Sequence, residues 1–204
     1  MKHMLGYIFL DGINVAVSIV TLHHLYQSTG DQHKDELNAG IILICFGLGC
    51  VTGGYLGGKL CDIINIRRTA YLYHFFFVIN CLLSIVVSEI DWFYCSCFVS
   101  YLWGYLLYYT QANEMVMCSK LFKGKTESFA IVKQFHSFSI IIYQIISMTT
   151  HNSIPVKYLM IPLIFFAFPS LYLLRGLPLG DETPLINRND DENEIINSSD
   201  FNEK

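Results

Sequence analysis

Six apolar stretches follow one another along this chain, separated by short polar breaks, and each is close to the twenty or so residues a helix needs to cross a bilayer. They run over about 4–26, 39–61, 69–88, 93–114, 129–149 and 156–174. Hydrocarbon leaves no water to satisfy open backbone groups, so runs of this length favour helices over irregular chain. The pattern predicts an all-α, polytopic membrane protein with six transmembrane helices over 1–175. At 53% hydrophobic and 15% charged residues, with a mean hydropathy of +0.42, the chain is too apolar for a soluble domain of its length. Composition then changes abruptly, and 176–204 reads as a disordered acidic cytoplasmic tail.

The net charge of −4 is concentrated in that tail, which argues against a nucleic-acid partner. The cysteines at 45, 50, 61, 81, 95, 97 and 118 sit mostly inside apolar runs without paired metal spacing, and read as small buried hydrophobes. The first stretch is interrupted by Asp11 and lacks a small-residue cleavage pattern, so it reads as a mature helix and not a signal peptide. Lys and Arg collect on the cytoplasmic side of membranes. Placing both termini there gathers Lys59, Arg67, Arg68, Lys120, Lys123, Lys125 and Arg175 on that side and leaves only Lys34 and Lys157 outside.

Polar groups inside hydrocarbon cost about 2.5–3.5 kcal/mol each on insertion scales, so they tend to face a protein interior or a watery cavity. Asp11 and Asn14 fall inside the first stretch, Gln111, Asn113 and Glu114 close the fourth, and Lys133, Gln134 and His136 open the fifth. Two readings of Glu114 and Lys133 stay open: an ion pair or cavity lining between neighbouring helices, or a lysine that snorkels beside a solvated acid. Asp11 cannot snorkel as far, and is a candidate proton or cation site. Trp103 is the aromatic most suited to the bundle interior, while the runs 71–77 and 105–109 read mainly as lipid-facing or interfacial belts.

The stretch 49–68, GCVTGGYLGGKLCDIINIRR, carries two signals. Gly49, Gly53 and Gly57 are spaced by four, and Gly54 and Gly58 form a second such pair, which suits close helix packing. The same stretch matches the core of a phosphate-binding loop at 53–59, but Leu60 stands where Ser or Thr is required and the surroundings are a continuing apolar helix. No protease, nucleophile-elbow or kinase pattern occurs. Neither an enzyme activity nor a cofactor or metal is expected. In the tail, Asp181 precedes Leu185-Ile186 by four residues, which looks like an acidic dileucine signal read by clathrin adaptors on endosomal and lysosomal routes; a plain disordered tail is the other reading.

The loop after the second stretch resembles the signature of the major facilitator superfamily. Gly58 and Asp62 supply its G-x-x-x-D, Asn65 stands where the family prefers Gly, and the basic pair Arg67 and Arg68 comes one position late. The stretch 103–137 resembles the fourth and fifth helices of the C-terminal half of uncoordinated-93-like proteins, an ion-channel regulatory branch of that superfamily. Thr110, Gln111 and Asn113, then Leu121, Phe122, Lys125, Glu127 and Phe129, carry this likeness. The resemblance implies a six-helix half of a major-facilitator bundle, and with the tail pattern the expected location is an endosomal, lysosomal or plasma membrane. It also implies either a transporter half that pairs with a second copy or another membrane protein, or a non-transporting accessory subunit that regulates or escorts a channel or receptor.

Overall fold

The computed structural model describes residues 2–25, 32–90, 92–122, 126–150 and 156–175. They form six helices: α1 (Lys2–Leu25), α2 (Gln32–Ile63), α3 (Ile66–Ile90), α4 (Phe93–Phe122), α5 (Thr126–Thr150) and α6 (Val156–Arg175). Four of them, α1, α2, α3 and α5, are long and apolar enough to cross a membrane. The other two differ for identifiable reasons: the tyrosines, serines and Gln111–Glu114 segment of α4 dilute its apolar character, and the apolar part of α6, Met160–Arg175, is shorter.

The helices extend beyond the apolar runs because a helix does not stop where hydropathy falls; α2 begins at Gln32 and α4 continues to Phe122. The largest difference is at 62–68, expected as a polar loop. Asp62 instead closes α2, and Arg67 and Arg68 lie in the first turn of α3, leaving only Ile64 and Asn65 between the helices. Asn65 makes so short a connection possible. Its side-chain Oδ1 accepts the Arg67 backbone N–H at 3.0 Å and its carbonyl accepts the N–H groups of Arg68 and Thr69, which is N-capping. An Asn at the position where the resemblance prefers Gly is thus a cap for α3.

Helix α1 is the centre of the bundle, with 78% of its apolar window buried, whereas only 17% of that of α2 is buried. Helix α1 packs on α5, α6 and α4; α4 packs on α2, α3 and α1; and α3 packs on α6. These pairings map onto themselves when the first three helices are exchanged for the last three. The α1–α5 pair then becomes α4–α2, α1–α6 becomes α4–α3, and α3–α6 is unchanged.

Both members of the first exchanged set depend on glycine. Along α2 and α4, a Cβ at Gly49 or Gly53 would run into the Tyr101 or Tyr105 backbone, one at Gly57 would meet Tyr109 Cα at 2.9 Å, and one at Gly104 would run into the Phe46 carbonyl. Backbones therefore touch along this seam, the closest approach two helices can make. Between α1 and α5, Gly12 plays the corresponding part, facing Ser139 Oγ and the His136 carbonyl. The second glycine pair of α2 stands elsewhere. Among the described residues, a Cβ at Gly54 would meet only the Tyr108 side chain at 3.8 Å, and one at Gly58 would have nothing within 4 Å.

The aromatic runs also turn out differently from a lipid-facing belt. Tyr73, Phe77 and Tyr109 are buried, while Phe75 and Tyr108 are exposed. A helix that packs on one side divides any continuous aromatic run between two environments. Trp103 is fully buried, donates its indole N–H to Ser84 Oγ at 3.0 Å and meets Phe77 edge-on at 6.0 Å.

Candidate functional site

The site begins with the α1–α5 crossing. Because Gly12 presents no side chain to α5, the neighbouring Asp11 is carried in until its Oδ2 lies 3.0 Å from His136 Nδ1. The two atoms are close but not aligned as a hydrogen bond, and among the described residues neither Asp11 oxygen nor His136 Nδ1 has a hydrogen-bonding partner. From α4, Glu114 reaches the same place: an oxygen or nitrogen of each of Asp11, Glu114 and His136 lies within 4.8 Å of the others. Glu114 Oε2 accepts a hydrogen bond from Lys133 Nζ at 2.9 Å, while its Oε1 has no hydrogen-bonding partner among the described residues.

Depth and burial set the electrostatics. His136 is near the middle of the apolar window of α5, Thr126–Ser147, and Asp11 falls in the first half of Met4–Leu22. Asp11 and Glu114 have no exposed surface, and His136 is 7% exposed. Lys133 lies two turns into α5, since that helix begins at Thr126, and its side chain remains 37% exposed. Two carboxyl groups thus face one ammonium, and with both ionised and His136 neutral the cluster would be one positive charge short. A buried, uncompensated charge is among the costliest arrangements a protein can hold. Asn14, one turn from Asp11 on α1, is also fully buried, and neither of its side-chain polar atoms has a hydrogen-bonding partner among the described residues.

A second polar network closes the site toward α2 and α3. Asn113 donates from Nδ2 to the Tyr7 hydroxyl at 3.1 Å, and its Oδ1 accepts from Thr69 Oγ1 at 3.4 Å and Cys61 Sγ at 3.5 Å. Tyr109 donates to the Thr69 carbonyl at 3.0 Å. One amide therefore ties α1, α2, α3 and α4 together beside Glu114, its sequence neighbour. This network is satisfied, unlike the ionisable cluster next to it.

The remaining candidates are dispersed. Gln111 is half-buried on α4, and Asp62 and Arg68 are exposed at the α2–α3 connection. The tail residues Asp181, Leu185 and Ile186 lie outside the described residues. Reasoning from the sequence missed Tyr7, Tyr73, Asn80 and His74, all buried. His74 sits where α3 meets α6. Its Nδ1 is 2.8 Å from the Ala70 carbonyl, which can only accept, so Nδ1 carries the proton and Nε2 faces the Ser170 hydroxyl at 2.5 Å. Histidine and asparagine inside an apolar run are visible in the sequence, and their position among buried neighbours is the missing part.

No protein-family model matches the chain, and comparisons with curated proteins and with solved structures find nothing similar to it.

Proposed function

We propose that this chain is a multi-pass membrane protein of major-facilitator type, a six-helix half-bundle in which Asp11, Glu114, Lys133 and His136 form a cation site. The observation that carries the reading is the meeting of two buried carboxyl groups with an imidazole and an ammonium, Asp11 and His136 lying well inside apolar helices. Ionisable groups inside a membrane bundle typically mark ion or proton pathways. The exchange of α1–α3 for α4–α6 in the helix pairings supports it as well. Three-helix repeats within six-helix halves belong to transporters whose sites lie at the repeat interface, and α1, α4 and α5 meet there. In this reading all six helices span, both termini are cytoplasmic, and the acidic dileucine at Asp181, Leu185 and Ile186 directs the protein to endosomes or lysosomes.

The test is cation flux into liposomes containing the purified chain. Wild type should pass a cation faster than Asp11→Asn, and Gly58→Ala should match wild type. Flux no greater than in empty liposomes would remove transport.

The accessory reading is favoured by one face of α2. Gly40, Gly47 and Gly58 have nothing within 4 Å among the described residues and fall with Gly54 on one stripe, beside exposed Ile44, Val51 and Tyr55. Such a face accepts another transmembrane helix closely, from a second copy or from a channel or receptor. A stable oligomer in detergent that Gly47→Leu and Gly54→Leu dissolve, without cation flux, would support it over the first.

A further inference from the structure

We propose that Asp11, Glu114 and His136 bind a divalent first-row transition ion, and that Lys133 is its built-in competitor. The inference rests on the cation-site reading and names the cation. Ligand atoms lie about 2.0–2.2 Å from such an ion, so adjacent donors stand about 3 Å apart and opposite donors about 4.3 Å. Asp11 Oδ2 and His136 Nδ1 are already at 3.0 Å, and one donor atom from each of the three residues lies within 4.8 Å of the others. The donors that would bind are the ones without hydrogen-bonding partners: both oxygens of Asp11, Oε1 of Glu114 and Nδ1 of His136. All three side chains are more than nine-tenths buried, each comes from a different helix, and Asn14 adds a further buried, unpartnered amide one turn along α1.

The donor set selects the ion. Mg²⁺ and Ca²⁺ take oxygen ligands, whereas an imidazole with two carboxylates suits Mn²⁺, Fe²⁺, Co²⁺ or Zn²⁺. Charge explains the lysine. Two carboxylates neutralise a divalent ion, but with Lys133 held against Glu114 Oε2 the occupied cluster would carry surplus positive charge. The lysine side chain is 37% exposed and long enough to withdraw its ammonium toward solvent. The Lys133 ammonium and a bound metal ion thus oppose one another electrostatically, although they use different oxygens of Glu114, and withdrawal of the lysine favours the metal-bound state.

Equilibrium dialysis of the purified full chain in detergent against Mn²⁺, which avoids the thiols, with Mg²⁺ as the hard-ion control, tests this. Wild type should bind about one Mn²⁺ per chain in preference to Mg²⁺, Asp11→Asn and His136→Gln should weaken binding at least about tenfold, and Lys133→Gln should tighten it. Tightening by removal of a lysine is a gain that misfolding cannot mimic. Mn²⁺ binding unchanged in Asp11→Asn, or weakened in Lys133→Gln, would overturn the proposal. So would an absence of Mn²⁺ binding; if wild type then still passed protons or a monovalent cation that Asp11→Asn did not, the cation-site reading would stand with a different ion. Loss of every cation response would remove both.

Discussion

The α2–α4 seam and the α1–α4–α5 cluster share one helix and solve opposite problems. On the α2 side of α4, Gly49, Gly53, Gly57 and Gly104 remove side chains so that backbones touch. On the α1 and α5 side a single glycine, Gly12, brings ionisable groups together that then lack full partnership. In hydrocarbon, association relies on close packing and polar contacts and gains nothing from burying apolar surface. The seam uses the first of these to a limit and serves as scaffold. The cluster leaves the second incomplete, and groups held in costly, under-satisfied arrangements are where function concentrates.

The contrast breaks most readily at the seam. Gly53→Leu must displace the Tyr105 backbone, which cannot give as a side-chain end can. Overpacking of this kind should cost about 3 kcal/mol or more, visible as loss of the monodisperse folded form in detergent. Gly58→Leu, in open space, should stay within about 0.5 kcal/mol of wild type. Equal stability of the two variants would mean that α2 and α4 do not meet backbone to backbone.

At the cluster, Lys133→Met leaves Glu114 buried without its ammonium. Breaking a fully buried pair costs about 3–5 kcal/mol. The partial exposure of Lys133 lowers the expectation to about 1–3 kcal/mol. Adding Glu114→Gln should recover most of the loss, and thermal unfolding of the two single variants and the double variant gives the coupling. Additive effects would show that the ion pair is not formed. A smaller effect is expected at the α2–α3 connection. Asn65→Ala removes the acceptor for the Arg67 N–H and should cost about 1 kcal/mol by the same measurement, while Asn65→Gly, which restores the residue the resemblance prefers, should cost less.

Much of the scaffold was legible in the sequence and little of the site. Apolar runs mark helices because length and hydropathy are local properties, and glycines four apart mark a face that a neighbour can approach. Which of two glycine stripes that neighbour takes is decided elsewhere: Gly53 and Gly54 are adjacent in sequence, yet one meets the Tyr105 backbone and the other only a tyrosine side chain. Asp11, Glu114 and His136 are conspicuous as polar residues in apolar surroundings, but their meeting depends on how three helices are rotated about their axes. The split of the aromatic runs at Tyr73 and Phe75 has the same origin. The 62–68 stretch misled for a different reason, because polarity was read as loop where an Asn cap allows two helices to abut.

The central claim, that the buried cluster of Asp11, Glu114 and His136 holds a cation, is tested most directly by thermal unfolding of the wild-type chain and of Asp11→Asn and Glu114→Gln. The unfolding would be followed across a series of pH, Na⁺, Mg²⁺ and Mn²⁺. A ligand that binds only the folded state at a hundred times its Kd stabilises it by about 2.7 kcal/mol. The account predicts that at least one of these cations raises the unfolding temperature of wild type and that the response is lost in both variants. Identical responses in all three proteins would contradict it.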